Sequence, residues 1–148
     1  MFRLLSDLEV ALNELLVACR ETVDHYRDGK ELISDKNIAN QFKQLASERE
    51  PFIALLEQKI RDFGDLPSVP DPDKEDGEML VHHLGAAVSE DYDEKLLQQR
   101  IDAEKNILEI IKQARANVED NSCDTLLDNL ENQVNAVIEK LSALAQTL

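Results

Sequence analysis

The chain has 148 residues with 16 Lys+Arg against 31 Asp+Glu, a formal charge of −15, and a length that suits one domain able to bury a core without metal or disulfide staples. Four glycines and four prolines are too few for an all-β protein or a low-complexity chain, and 43% hydrophobic residues argue against disorder. The acidity disfavours nucleic acid, whose phosphates need a basic surface.

Apolar positions in the first segment fall at Leu5, Leu8, Leu12, Leu15, Cys19, Val23 and Tyr26. These steps of three and four trace one stripe of a helix, and Gly29 follows as a natural stop. Ser34 and Asp35 offer N-caps for a second helix. Its stripe is Ile38, Phe42, Leu45, Arg49, Phe52, Leu56, Ile60 and Phe63, closed by Gly64. Pro51 inside it predicts a kink or one lost hydrogen bond.

Residues 65–95 differ in kind. Three of the four prolines, Pro67, Pro70 and Pro72, open the stretch, which holds ten acids against Lys74 and Lys95, a local charge of −8. It begins as an extended loop, and Met79 to Leu84 fit one or two helical turns before Gly85. It reads as a crossover, because neither flanking half buries its stripe alone. A third helix carries Leu96, Leu97, Arg100, Ala103, Ile107, Ile110, Ala114 and Val118, and the turn Glu119-Asp120-Asn121-Ser122 leads to a fourth. The last stripe is Leu127, Leu130, Val134, Val137, Leu141, Leu144 and Leu148. The expectation is one all-α domain over residues 1–148: two antiparallel helix hairpins joined by a long crossover, packed as a four-helix bundle.

Three segments resemble a known family. Leu12-Asn13-Glu14-Leu15-Leu16, with Cys19 and Tyr26 beyond it, resembles the first helix of bacterioferritins, where a ligand Glu and a Tyr hold those two places. Arg61-Asp62-Phe63-Gly64-Asp65-Leu66-Pro67 looks like that family's second-helix ending, and Asp102-Ala103-Glu104-Lys105-Asn106-Ile107 is similar to its Asp-Gly-Ala-Lys-Asn-Leu. The resemblance covers most of the chain and extends to rubrerythrin-type bundles. It is nearest to small, uncharacterised bacterial ferritin-like proteins grouped as a domain of unknown function. It implies a ferritin-like fold and a stress-response setting.

A ferritin-like di-iron site takes a Glu from each of two helices and Glu-x-x-His from each of the other two. Carried over residue by residue, the first Glu falls on Cys19, the second helix's Glu and His on Arg49 and Phe52, and the third helix's Glu on Arg100. On the fourth helix neither Leu130-x-x-Gln133 nor Glu131-x-x-Val134 supplies a His. A working di-iron centre is therefore not expected, and no cofactor or metal is assigned. Arg49 and Arg100 both sit on apolar stripes, where a cation must pair or snorkel outward. One expectation is that they bond to Glu21, Glu48, Glu104 or Glu131, replacing metal charge with an internal ion-pair network. The other is that each lies at the seam's edge with its head in water.

Further candidates are weaker. His82 and His83 point about 100° apart on a helix and cannot chelate one ion alone. Asp71 to Gly77 glances at a calcium loop, but its Gly is seventh rather than sixth and His82 stands where the last ligand should be. Cys19 reads as a small core residue. Cys123, opening a helix, is the better thiol candidate. No base accompanies it, since no His follows His83. His25 is expected off the stripe and near solvent. No phosphate loop or Ser/His/Asp pattern supports an ordinary hydrolase or kinase.

No apolar run reaches the roughly 18–20 residues of a membrane span. The start, Met1 to Glu9, lacks a signal peptide's apolar stretch, and two cysteines make no disulfide framework. The leading expectation is thus a cytoplasmic, bacterial-type, non-enzymatic scaffold or binding module with an unidentified protein partner, a homodimer being plausible, and no catalytic residues. The charge favours a basic protein partner or simple solubility. The alternative is a metal-binding or oxidoreductase protein built from Glu21, His25, Glu48, Glu104 and Glu131, which requires at least three of those side chains to converge inside the bundle. A third reading, an acidic decoy of nucleic acid, rests on charge alone.

Overall fold

The computed structural model describes residues 6–67, 92–118 and 120–148. Among these residues it is all-helical, with four helices and no strand: α1 Asp7–Leu32, α2 Lys36–Asp62, α3 Tyr92–Ala116 and α4 Asp124–Ala145. The expected helical turns at Met79 to Leu84, the residues His82 and His83, and the loop from Asp71 to Gly77 lie outside the described residues.

Local chemistry sets the helix ends. Ser6 caps α1 by accepting the Glu9 N–H at 3.1 Å, and Asp35 caps α2 by accepting the Ile38 N–H at 3.1 Å, each satisfying a donor that the first turn leaves open. Asp35, not Ser34, is thus the cap of α2. Ser34 instead donates its hydroxyl to Asp93 Oδ2 at 2.7 Å, and its N–H goes to Asp93 Oδ1 at 3.1 Å. Gly64 follows α2 with φ of 81°, a left-handed conformation that a glycine adopts without steric cost. Gly29 does not stop α1, which continues to Leu32. Its role is close packing, since a Cβ there would meet the Phe42 ring at 3.1 Å. Helix α2 runs unbroken through Pro51 on an exposed face, leaving the exposed Ser47 carbonyl without an intrahelical donor.

Neighbouring helices are antiparallel. Arg20 and Arg27 of α1 pair with Glu57 and Glu50 of α2. Arg115 of α3 pairs with Asp128 and Glu131 of α4. His25 of α1 meets Arg100 of α3, and Arg49 of α2 meets Gln133 of α4. The pairs α1/α4 and α2/α3 lie across the diagonals. The end of α2 adjoins the start of α4, where Lys59 Nζ donates to the Ser122 carbonyl at 2.9 Å. The start of α3 adjoins the far end of α1 through Asp93 and Ser34. The two points between which the chain passes from α2 to α3 therefore sit at opposite ends of the arrangement.

The expected stripes are largely the buried faces, although Phe52, Phe63, Val118 and Leu144 are only half-buried. Glu104 is buried where Ala103 was expected and Ala103 is only half-buried, a rotation of one position. Leu148 is exposed, so the last stripe is fully buried only as far as Leu141. The core divides into two apolar clusters, one around Leu12, Leu16, Leu56, Ile107 and Leu130, the other around Tyr26, Phe42, Leu97 and Leu141. Between them lies a layer of polar side chains.

Candidate functional site: a polar layer from four helices

Arg49 is the largest fully buried side chain among the described residues, and it lies at the centre of that layer. All three of its nitrogens have acceptors. Nη2 donates to Glu104 Oε2 of α3 at 2.7 Å, Nη1 to Thr22 Oγ1 of α1 at 3.0 Å, and Nε to Gln133 Oε1 of α4 at 2.7 Å. Thr22 passes its own proton to the Cys19 carbonyl at 2.9 Å. The second Glu104 oxygen, Oε1, accepts the Tyr26 hydroxyl at 2.5 Å. Arg49 and Glu104 both have 0% of their side chains exposed. In that setting an ion pair stands only when its remaining hydrogen-bonding capacity is also filled, because desolvating two charges costs several kcal/mol each. The Tyr26 ring also packs against Phe42, centroids 5.3 Å apart.

Arg100 lies beside this group with 5% of its surface exposed. Its Nη1 contacts His25 Nδ1 at 2.8 Å. A guanidinium is always a donor, so Nδ1 is the acceptor and His25 carries its proton on Nε2. The Arg100 Nε is buried without a hydrogen bond. His25 is thus half-buried and engaged, not the solvent-facing residue the stripe suggested.

The electrostatics follow from burial and the enclosed charges. Burial holds the Cys19 thiol neutral, pushing its pKa up to about 12, with Arg49 pulling the other way. Burial and the Glu104 charge raise the Tyr26 phenol well above its usual range. Burial alone would lower the pKa of Arg49, but Glu104, with smaller contributions from Cys19 and Tyr26, raises it overall. Arg100 is lowered, chiefly by burial.

Of the two expectations for the arginines, the enclosed one describes Arg49, which pairs with Glu104, and Arg100 is buried against His25. Glu21, Glu48 and Glu131 are not partners of either guanidinium. Glu48 is exposed beside Gln44, Glu131 binds Arg115 at the surface, and Glu21 is half-buried on the α1–α3 face. Of Glu21, His25, Glu48, Glu104 and Glu131, only Glu104 and His25 thus reach the polar layer. Among the described residues no group of three or more His, Cys, Asp or Glu is placed to hold a metal ion. The donor set does not fit a di-metal centre: its only buried carboxylate is taken on both oxygens, and a guanidinium fills the middle. Cys123 is buried at the start of α4, so it is not an accessible thiol.

Thr22 and Gln133 were invisible as members of the site. Each is a polar residue beside an apolar stripe, and only the rotation of its helix decides whether it faces inward. The one available signal was that Gln133 holds the fourth-helix His place in one of the two registers that the sequence resemblance leaves open.

No family model, curated protein or solved structure matches the chain. Among the described residues no helix is long and apolar enough to cross a membrane.

Proposed function

We propose that this chain is a ferritin-like four-helix bundle whose metal centre has been replaced by a self-neutralising polar layer, and that it works as a non-enzymatic scaffold or binding module. The observation that carries the reading is the Arg49–Glu104 pair, closed by Tyr26, Thr22 and Gln133. Cys19, Arg49 and Arg100, where the resemblance puts metal ligands, belong to or border this one layer, as does Gln133 in one of the two registers open for the fourth helix, whereas Phe52 packs against an apolar cluster. The opposite-end placement of the α2 terminus and the α3 start supports the long crossover of that fold. The Arg49 guanidinium neutralises Glu104, the carboxylate of the layer, and together with the Tyr26 hydroxyl it leaves neither oxygen open to a metal. Function then falls to the surface, with a protein partner or a second copy of the chain as its ligand. Two free, buried cysteines suit a reducing, cytoplasmic setting, and a bacterial source and a stress-response role are what the resemblance offers.

Elemental analysis of untagged protein purified without chelators tests this. The expected result is below about 0.1 metal ion per chain; iron, manganese or zinc near about one ion per chain, retained through gel filtration, would overturn it. The metalloprotein built on Glu21, His25, Glu48, Glu104 and Glu131 has no observation in its favour, since only Glu104 and His25 of the five reach the polar layer.

A further inference from the structure

Helices α1 and α3 leave an open groove of about 630 Å³ between them. Val10, Val17 and Ile110 give it apolar surface, and Val10 is 42% exposed. Four carboxylates, Glu14, Glu21, Asp65 and Glu109, line it as well, and none of the lining residues is Lys or Arg. The acids are not all spent on neighbours. Glu14 and Glu109 are exposed and enter no ion pair among the described residues. Asp65 accepts the Leu66 N–H on Oδ1 at 2.8 Å, while its Oδ2 is buried with no hydrogen bond. An unmet buried acceptor of this kind is costly, and a donor arriving from outside would recover that cost.

We propose that this groove docks a basic amphipathic helix of a partner protein, an inference that rests on reading the chain as a binding module. Three features select that occupant. The groove follows α1 from Val10 to Glu21, roughly 16 Å or three helical turns, which matches the helix-in-groove mode of recognition. Its apolar surface takes the apolar face of such a helix. Its acids take Lys or Arg on the flanks, with Asp65 Oδ2 as the desolvated anchor. A second copy of this chain, itself at −15, brings the wrong sign of charge to an acidic rim.

The test is a titration of the full chain, nitrogen-15 labelled, with a synthetic amphipathic helix of leucines on one face and lysines on the other. Amide shifts should concentrate in residues 10–21, 65–66 and 106–113. Glu14→Lys and Glu109→Lys should each weaken binding about tenfold, Val10→Ser about threefold, and Glu139→Lys on α4 less than about twofold. These side chains are exposed, and circular dichroism confirms that each variant folds. Shifts spread over the acidic surface, equal binding of a scrambled peptide of the same charge, or a dimer broken by Glu109→Lys would overturn the proposal. The metal content of the core is read separately, so failure of the groove and failure of the metal-free reading are distinguishable.

Discussion

A guanidinium enclosed by four helices persists because each nitrogen finds an acceptor on a different helix: Glu104, Thr22 and Gln133. Removing one partner while leaving the other is the damaging change. Glu104→Ala should cost about 3–5 kcal/mol in urea unfolding, because Arg49 is left charged and buried. Tyr26→Phe should cost about 1–3 kcal/mol, since Glu104 Oε1 loses its donor. Cys19 gives a prediction in pH. Burial pushes its thiol up from an ordinary 9.0 to about 12 in the folded protein, so over that interval the unfolded chain binds fewer protons. The stability that this group contributes below pH 9 is therefore lost as pH rises from 9 toward 12. Cys19→Ala should be weaker at pH 8 yet show a flatter decline between pH 9 and 10. His25 should show the Nε2–H tautomer by imidazole nitrogen shifts; a proton on Nδ1 would contradict the Arg100 contact. The three-and-four stepping placed Arg49 and Arg100 on apolar stripes but left open whether each was enclosed or sat at the seam's edge with its head in water. It misplaced Glu104 by one position and could not show Thr22 or Gln133, because periodicity fixes a face to about one residue, or 100° of rotation.

At the scale of the helices, small residues and caps do the positioning. Gly29 lets α1 approach the Phe42 ring, and a Cβ there would stand 3.1 Å from it. Alanine gains about 1 kcal/mol of helix propensity over glycine, but Phe42 is wholly buried and packed on Tyr26, with little room to retreat. Gly29→Ala should therefore be neutral to destabilising by about 1 kcal/mol, and become stabilising in a Phe42→Leu background. A helix stop at Gly29 was the plain reading of the pattern; only the tertiary neighbour shows that the glycine is there for closeness. Asp93 ties the start of α3 to the α1–α2 turn by accepting from Ser34 N, Ser34 Oγ and Asp35 N. Asp93→Ala should cost about 1–2 kcal/mol in urea unfolding. No sequence pattern announces that contact, since its partners are 58 or more positions apart.

At the scale of the molecule, the polar layer cuts the core into two apolar halves, and the net charge of −15 works against the folded state by self-repulsion. Raising salt from about 0.05 to 0.5 M should therefore raise the melting temperature, the reverse of what surface ion pairs alone would give. Four helices and their order were legible from length and stripe alone. The pairing within each hairpin was legible as well; how the two hairpins face each other was not, because hairpins with the same stripes can pack in more than one way.

The measurement that bears most directly on the central claim is a double-mutant cycle on Arg49 and Glu104, with Arg49→Met, Glu104→Leu and the double variant compared by urea unfolding. The account predicts a coupling of about 3 kcal/mol or more, the double variant being more stable than either single one. Single effects that add to within about 0.5 kcal/mol would mean that the two residues do not depend on each other. The buried pair would then not be what holds the centre of this protein together.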